Sequence, residues 1–221
     1  MIYVLCGPGG AGKDTVLDKV VAKGLATRVV SYTTRPRRHG EVKGKAYHFV
    51  SREEFETKLA AGDFIEHVIF NENYYGLPEQ PFKESLTEGT DCIVVVESEG
   101  LKQLRALYGS MVEAIYLFAS ESRLRARMIE RGDLEATVDK RMARLSLERQ
   151  LLEGLYEYKL LNKDGELAVT VDMVASIIKA NLARVKERQP HDSTQVNVPH
   201  AESGNPRLHA GPPAHFPDDG C

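Results

Sequence analysis

Gly7-Pro8-Gly9-Gly10-Ala11-Gly12-Lys13-Asp14-Thr15 follows the apolar run Ile2-Tyr3-Val4-Leu5-Cys6 and precedes Val16-Leu17-Asp18-Lys19-Val20-Val21. Strand, glycine loop and helix in succession are the setting a phosphate-binding loop requires. Glycines at both ends let the backbone curl until successive N–H groups point into one hollow, and the helix that starts there adds the positive end of its dipole. Such a hollow suits a polyphosphate, with Lys13 reaching the β- and γ-phosphates. The position after the lysine is usually a magnesium-binding hydroxyl, but here it is Asp14, and the hydroxyl comes one place later at Thr15. The loop speaks for nucleotide binding without saying which reaction follows.

The rest of the composition narrows the field. A chain of 221 residues with 42% hydrophobic content can bury one substantial core, with room for a small inserted lobe. Net charge is -3, so there is no electrostatic footprint for nucleic acid. Cys6, Cys92 and Cys221 are odd in number and widely spaced, which fits neither a disulfide framework nor a zinc site. The first apolar run is short and leads straight into the loop, and no run approaches the roughly 20 apolar residues of a membrane span. The expectation is a cytoplasmic protein with no membrane or nucleic-acid partner.

Beyond the loop, the spacing predicts a helix over 15–23, stopped by Gly24, and a strand-like run at Val29-Val30-Ser31. Arg35, Arg37 and Arg38 then fall within four residues, in a segment that Pro36, Gly40 and Gly44 keep from being helical. Planar guanidinium forks gathered in this way suit a phosphate. Ser51 followed by Glu54 reads as a capping box for a helix over 52–61. Residues 64–70 and 74–78 read as a small antiparallel pair about a turn at Asn71-Glu72-Asn73, with Glu66 an acid among apolar neighbours. A helix is expected over 81–88. Cys92-Ile93-Val94-Val95-Val96 reads as a buried parallel strand whose carboxyl end carries Glu97, where α/β sheets place ligand groups. Helices are expected over 101–108, 120–130 and 134–156, with a strand at 114–119 between the first two and a last short strand near 160–162. Arg123, Arg127 and Arg131 share a helix face, as do Arg141 and Arg144. Residues 167–188 hold an amphipathic helix, and the polar composition from 189 to 221 predicts a disordered tail.

Taken in this order, the motifs resemble those of a guanylate kinase over about residues 1–183. The resemblance rests on the glycine loop, Thr34-Arg35-Pro36 through Gly40-Glu41-Val42, Tyr47-His48-Phe49-Val50-Ser51, Phe64-Ile65-Glu66, Asn73-Tyr74-Tyr75-Gly76, and Arg127 through Arg131-Gly132. It implies an α/β P-loop kinase fold, with a parallel core sheet flanked by helices, an inserted small α+β lobe for the monophosphate and a helical lid. The implied domain spans 1–188, divided into a core at 1–33 and 89–188, a lobe at 34–88, and a lid at about 120–149 within the core span.

By the same resemblance, Gly7, Gly9, Gly10, Ala11, Gly12, Lys13, Asp14, Thr15 and Asn162 are ATP-binding residues. Arg35, Arg38, Tyr47 and Tyr75 match residues that hold the monophosphate, and Glu41 matches the acid that orients those arginines. Glu66 and Ser31 match the guanine readers, and Glu97 joins the GMP-binding set. Lys13, Arg127, Arg131 and Arg141 are the implied catalytic cations. The implied reaction is transfer of the γ-phosphoryl group of ATP, accompanied by Mg²⁺, to GMP or dGMP. A carboxylate at Glu66 makes chemical sense there, because guanine offers donors at N1 and N2 where adenine offers an acceptor at N1. A site built to pair such donors can discriminate by about 10⁴.

Four features depart from the family pattern. Asp14 replaces the magnesium-binding hydroxyl, and its carboxylate either meets the ion, directly or through water, or is accommodated beside it. Leu77 stands where a hydroxyl helps read guanine O6, Val95 replaces an acid on the central strand, and the lid is about one residue short. Gly12-Lys13-Asp14 and Leu161-Asn162-Lys163-Asp164-Gly165 are more similar to ribose 1,5-bisphosphate phosphokinases, which form phosphoribosyl pyrophosphate. That reading is the alternative, and a non-catalytic guanylate-kinase-like binding module is a third.

Overall fold

The computed structural model describes residues 1–187, so the tail expected at 189–221 lies outside the described residues. The chain begins with β1 (Ile2–Cys6), in which every residue is fully buried. A strand covered on both faces needs apolar side chains at every position, which is why this run shows no alternation. β1 pairs in parallel with β7 (Cys92–Val95) on one side and with β8 (Val112–Phe118) on the other. The two-residue β2 (Thr27–Arg28) extends the sheet beyond β7, and β9 (Tyr158–Leu161) extends it beyond β8.

Alternate residues of these strands feed two separate apolar layers. Tyr3, Leu5, Ile93, Ile115 and Leu117 pack with Val16, Leu17 and Val20 of α1 (Lys13–Ala22) and with Val171, Val174 and Ile178 of α7 (Leu167–Glu187). Ile2, Val4, Cys6, Val94 and Tyr116 face Phe82 of α3 (Glu79–Thr87) and Leu101 and Leu104 of α4 (Ser98–Tyr108). Each fully buried aliphatic side chain contributes about 1.5–3 kcal/mol.

A second sheet has the order β4 (His48–Phe49), β3 (Tyr32–Thr33), β6 (Asn73–Pro78), β5 (Phe64–Phe70). The expected strand at Val29-Val30-Ser31 is instead the crossing between the two sheets. Val29 is buried in the core layer while Ser31 already accepts a hydrogen bond from the His48 N–H at 2.9 Å. β5 and β6 form a hairpin whose two turn residues, Asn71 and Glu72, both have positive φ (47° and 65°). That geometry matches the right-handed twist of the strands. Near the start of β5 the register shifts between Phe64 and Glu66, a bulge that sets the direction of the Glu66 side chain.

α2 (Arg52–Ala61) is capped as its sequence predicts, with Ser51 Oγ accepting from the Glu54 N–H at 3.1 Å. α3 begins two residues before the expected start, because Pro81 in the first turn has no N–H to lose to the helix. α4 likewise begins at Ser98, which puts Glu97 at its N-cap. α5 (Glu121–Glu130) and α6 (Glu135–Leu152) follow β8, joined by a four-residue link. Among the described residues no helix is long and apolar enough to cross a membrane.

Candidate active site

The loop after β1 opens one cleft between the two sheets and the α5–α6 pair. Its path depends on glycine at Gly7, where φ is +131° and a Cβ would lie 2.1 Å from the Leu117 carbonyl oxygen. Gly12 is left-handed at the N-cap of α1, so the first N–H groups of the helix have no side-chain cap. Lys13 lies along the loop, its Nζ donating to the Gly7 carbonyl at 2.5 Å and the Pro8 carbonyl at 3.2 Å. Asn162 is buried and braces the loop from behind: its Nδ2 donates to the Ala11 carbonyl at 2.8 Å, and its Oδ1 accepts from Thr170 at 3.2 Å.

Across the cleft, the segment after β3 carries the guanidinium groups. Arg35 is buried, stacked 5.6 Å from both the Tyr47 and the Phe49 ring centres. It makes a bidentate pair with Glu41, Nη2 to Oε1 at 2.7 Å and Nη1 to Oε2 at 3.1 Å. The Arg38 N–H donates to the same carboxylate at 2.7 Å. Burial would raise Glu41, but these hydrogen bonds outweigh it and hold the carboxyl below its usual range. Burial pushes the Tyr47 phenol well above its usual value, so it stays a neutral donor. Arg38, Tyr47, Tyr75, Arg131 and Arg141 all line the cleft.

Carboxylates occupy the third wall. Glu97 and Glu148 line the cleft with Asp14. Burial raises Glu97, as does the charge of Asp14, against the opposing pull of Lys13 and Arg141. Burial and the Glu97 charge lift Glu148 to about 7. No tight cluster of three metal-ligating side chains exists among the described residues. Oxygen donors from one or two carboxylates, completed by phosphate, nevertheless fit the habit of Mg²⁺, and a cation would relieve the crowded negative charge. The unexpected Asp14 is compensated from outside the cleft. Arg28 of β2 donates to Asp14 at 3.1 Å, to Asp18 at 2.7 Å and to the Ala46 carbonyl at 2.7 Å.

Glu66 is an acid buried outside the lining of the cleft. It is 3% exposed, and its Oε2 has no hydrogen-bond partner. Burial, and then the charge of Glu97, raises it to about 8. The plain expectation for such a residue, an edge carboxylate facing water, therefore does not hold. Gly100 in the first turn of α4 makes room for it, since a Cβ there would lie 2.5 Å from Oε2. Opposite Glu66 in the hairpin sits Leu77, fully buried in the apolar layer.

The expected site residues thus divide. Gly9, Gly10, Gly12, Lys13, Asp14 and Thr15 of the loop, with Arg35, Arg38, Glu41, Tyr47, Tyr75, Glu97, Arg131 and Arg141, line the cleft, whereas Gly7, Ala11 and the buried Ser31, Glu66 and Asn162 do not line it. Arg127 does not line the cleft and sits against the loop. It donates to the Asn162 carbonyl at 2.9 Å, to Asp164 at 2.7 Å and to the Gly10 carbonyl at 3.3 Å. Sequence reasoning missed Arg28, Asp133, Glu148 and Asp164; Asp164 pairs with Arg127, 37 residues away, and Asp133 reaches Arg38 as well as the nearby Arg131 and Arg141.

The family model described as guanylate kinase matches residues 1–181. A guanylate kinase of Alkalilimnicola ehrlichii is 34% identical over 191 residues, covering 86% of this chain and 93% of its own. One of Symbiobacterium thermophilum is 36% identical over 187 residues, covering 83% of this chain and 87% of its own. The crystal structure of guanylate kinase from Anaplasma phagocytophilum superposes with a TM-score of 0.67 at 27% identity, covering 86% of this chain and 94% of that one. With a nucleotide loop facing an arginine cradle across one cleft, and likeness of this extent in sequence and in fold, the chain belongs to the guanylate kinase family and is a nucleoside monophosphate kinase.

Proposed function

We propose that the enzyme transfers the γ-phosphoryl group of ATP to the phosphate of GMP. An oxygen of the GMP phosphate attacks the γ-phosphorus in line, the bond to the β–γ bridging oxygen breaks, and ADP and GDP result. In this reading Arg35, Arg38, Tyr47 and Tyr75 hold the acceptor phosphate, and Glu41 fixes the two arginines. Lys13, Arg131 and Arg141 stabilise the charge on the transferring group, while Arg127 and Asn162 fix the loop that carries the ATP phosphates. Asp14 and Glu97, which line the cleft, would hold Mg²⁺, and the ion would supply further charge neutralisation. We divide the chain as core (1–33 and 89–188), lobe (34–88) and lid (about 120–149), with the lobe and lid closing to exclude water. A cytoplasmic setting would supply both nucleotides.

The observation that carries this reading is the Glu66 carboxyl. A buried acceptor without a donor costs about 1–3 kcal/mol, a cost that a partner carrying two N–H groups removes. Guanine presents such a pair. A sugar bisphosphate has no base to offer.

The test is ADP release with GMP, dGMP, AMP, UMP and ribose 1,5-bisphosphate as acceptors. GMP should lead AMP by three orders of magnitude or more in kcat/KM, with dGMP, which differs only at the ribose 2′ position, following GMP. Turnover with ribose 1,5-bisphosphate alone would overturn the reading, and absence of turnover with every acceptor would point to a binding module.

A further inference from the structure

Asp133 lies in the link between α5 and α6, and its side chain is 6% exposed. Three arginines converge on its carboxylate. Arg131 donates from Nε at 3.1 Å and from Nη2 at 2.5 Å, Arg141 donates from Nη1 at 3.1 Å, and Arg38 Nε lies 3.2 Å away. Arg38 comes from the segment after β3, Arg131 from the end of α5 and Arg141 from α6. One carboxylate therefore joins the lobe side of the cleft to the lid side.

The direction of the grip matters. Arg38, Arg131 and Arg141 line the cleft, whereas Asp133 does not, so the carboxylate holds them from behind and leaves their inner faces open to the cavity. Arg35, Arg38, Arg131 and Arg141 set against Glu41 and Asp133 leave two net positive charges, the complement of a phosphate monoester dianion. Without Asp133 the guanidiniums would repel one another. Arg38 is already lowered by burial and then by the charges of Arg131 and Arg35. Asp133 stays ionised, because its hydrogen bonds from Arg131 and the charges of Arg38 and Arg141 outweigh its burial.

We propose that Asp133 is a positioning residue that assembles the phosphate-binding arginines and ties the lid to the monophosphate lobe. The proposal rests on the phosphate-binding reading of Arg38, Arg131 and Arg141 given above. It places the organising charge in the protein, so that the acceptor finds its cradle already formed.

Asp133→Asn keeps the shape and removes the charge. Spin labels at Glu53→Cys and Lys140→Cys, both exposed positions on α2 and α6, report the lobe-to-lid distance in a Cys221→Ser background. We expect the free Asp133→Asn protein to show a longer and broader distance distribution than the free parent, and the same distance as the liganded parent once ADP and GMP are added. GMP binding measured by calorimetry should weaken about tenfold, within the usual range of coupling between sites, while ADP binding changes less than twofold. Asp133→Glu should restore part of both. If Asp133→Asn does not fold, Asp133→Ser is read in the same way. An unchanged distance, or GMP binding as tight as the parent's or tighter, would overturn the proposal. A lengthened distance in an enzyme that uses another acceptor would support Asp133 and refute GMP as substrate, so the two failures are separable.

Discussion

Glu66 shows how little a residue's own type says about its role. Its sequence neighbourhood announced only an acid between apolar pairs. Its burial comes from a bulge in β5 and from Gly100 some 34 positions later, neither of which a local pattern reveals. Gly100→Ala should drive Oε2 out of place, because a Cβ 2.5 Å away cannot be accommodated. Assayed with GMP, this variant should lose at least about tenfold in kcat/KM, with a fall of about 1–3 kcal/mol in stability by urea unfolding. The raised pKa has its own consequence for stability. With Glu66 near 8 in the folded protein and near 4.5 unfolded, the native state binds a proton that the unfolded state lacks. Its contribution to stability therefore falls as pH rises from about 4.5 to about 8, by a few kcal/mol in all. Urea unfolding of Glu66→Gln at pH 5 and pH 8 should show a smaller loss across that interval than the parent protein does. Asp14 is the complementary case: an acid that looked misplaced beside phosphates is held by Arg28, a partner 14 residues away on a two-residue strand.

At the level of elements, periodicity and punctuation succeeded wherever a segment carried its own signal. The continuous apolar runs of β1 and β7, the Ser51–Glu54 box and the glycine stops of α1 and α2 are local chemistry, and the structure follows them. Ser51→Ala should lower stability by about 1 kcal/mol, with little effect on turnover, since the cap serves α2 alone. Val29-Val30-Ser31 misled because β-branched residues suit either a strand or a buried crossing. β3 and β4 are too short to have a pattern, and they exist only because β6 and the crossing chain lie beside them. The arginines on α5 were read correctly as one face, but the face divides. Arg123 and Arg127 turn to Asp164, and Arg131 turns to Asp133. Those partners lie on separate loops, so spacing along the helix could not tell them apart.

In the whole molecule, the glycine loop and the order of motifs along the chain made the kinase fold readable, because each motif has a fixed place relative to the sheet. What sequence alone could not supply was the electrostatic wiring between distant parts. Arg28 reaches from the core sheet to the Ala46 carbonyl, Asn162 holds the loop, and Asp133 joins three arginines across the cleft. The central claim is that the buried Glu66 carboxyl, whose Oε2 has no donor, receives the base of GMP. Calorimetric titration of GMP at pH 7 in buffers of differing ionisation enthalpy counts the protons released on binding. If guanine pairs with ionised Glu66, the parent should release close to one proton more per GMP than Glu66→Gln, which should also bind GMP far more weakly. Equal proton release and equal affinity in the two proteins would contradict the account.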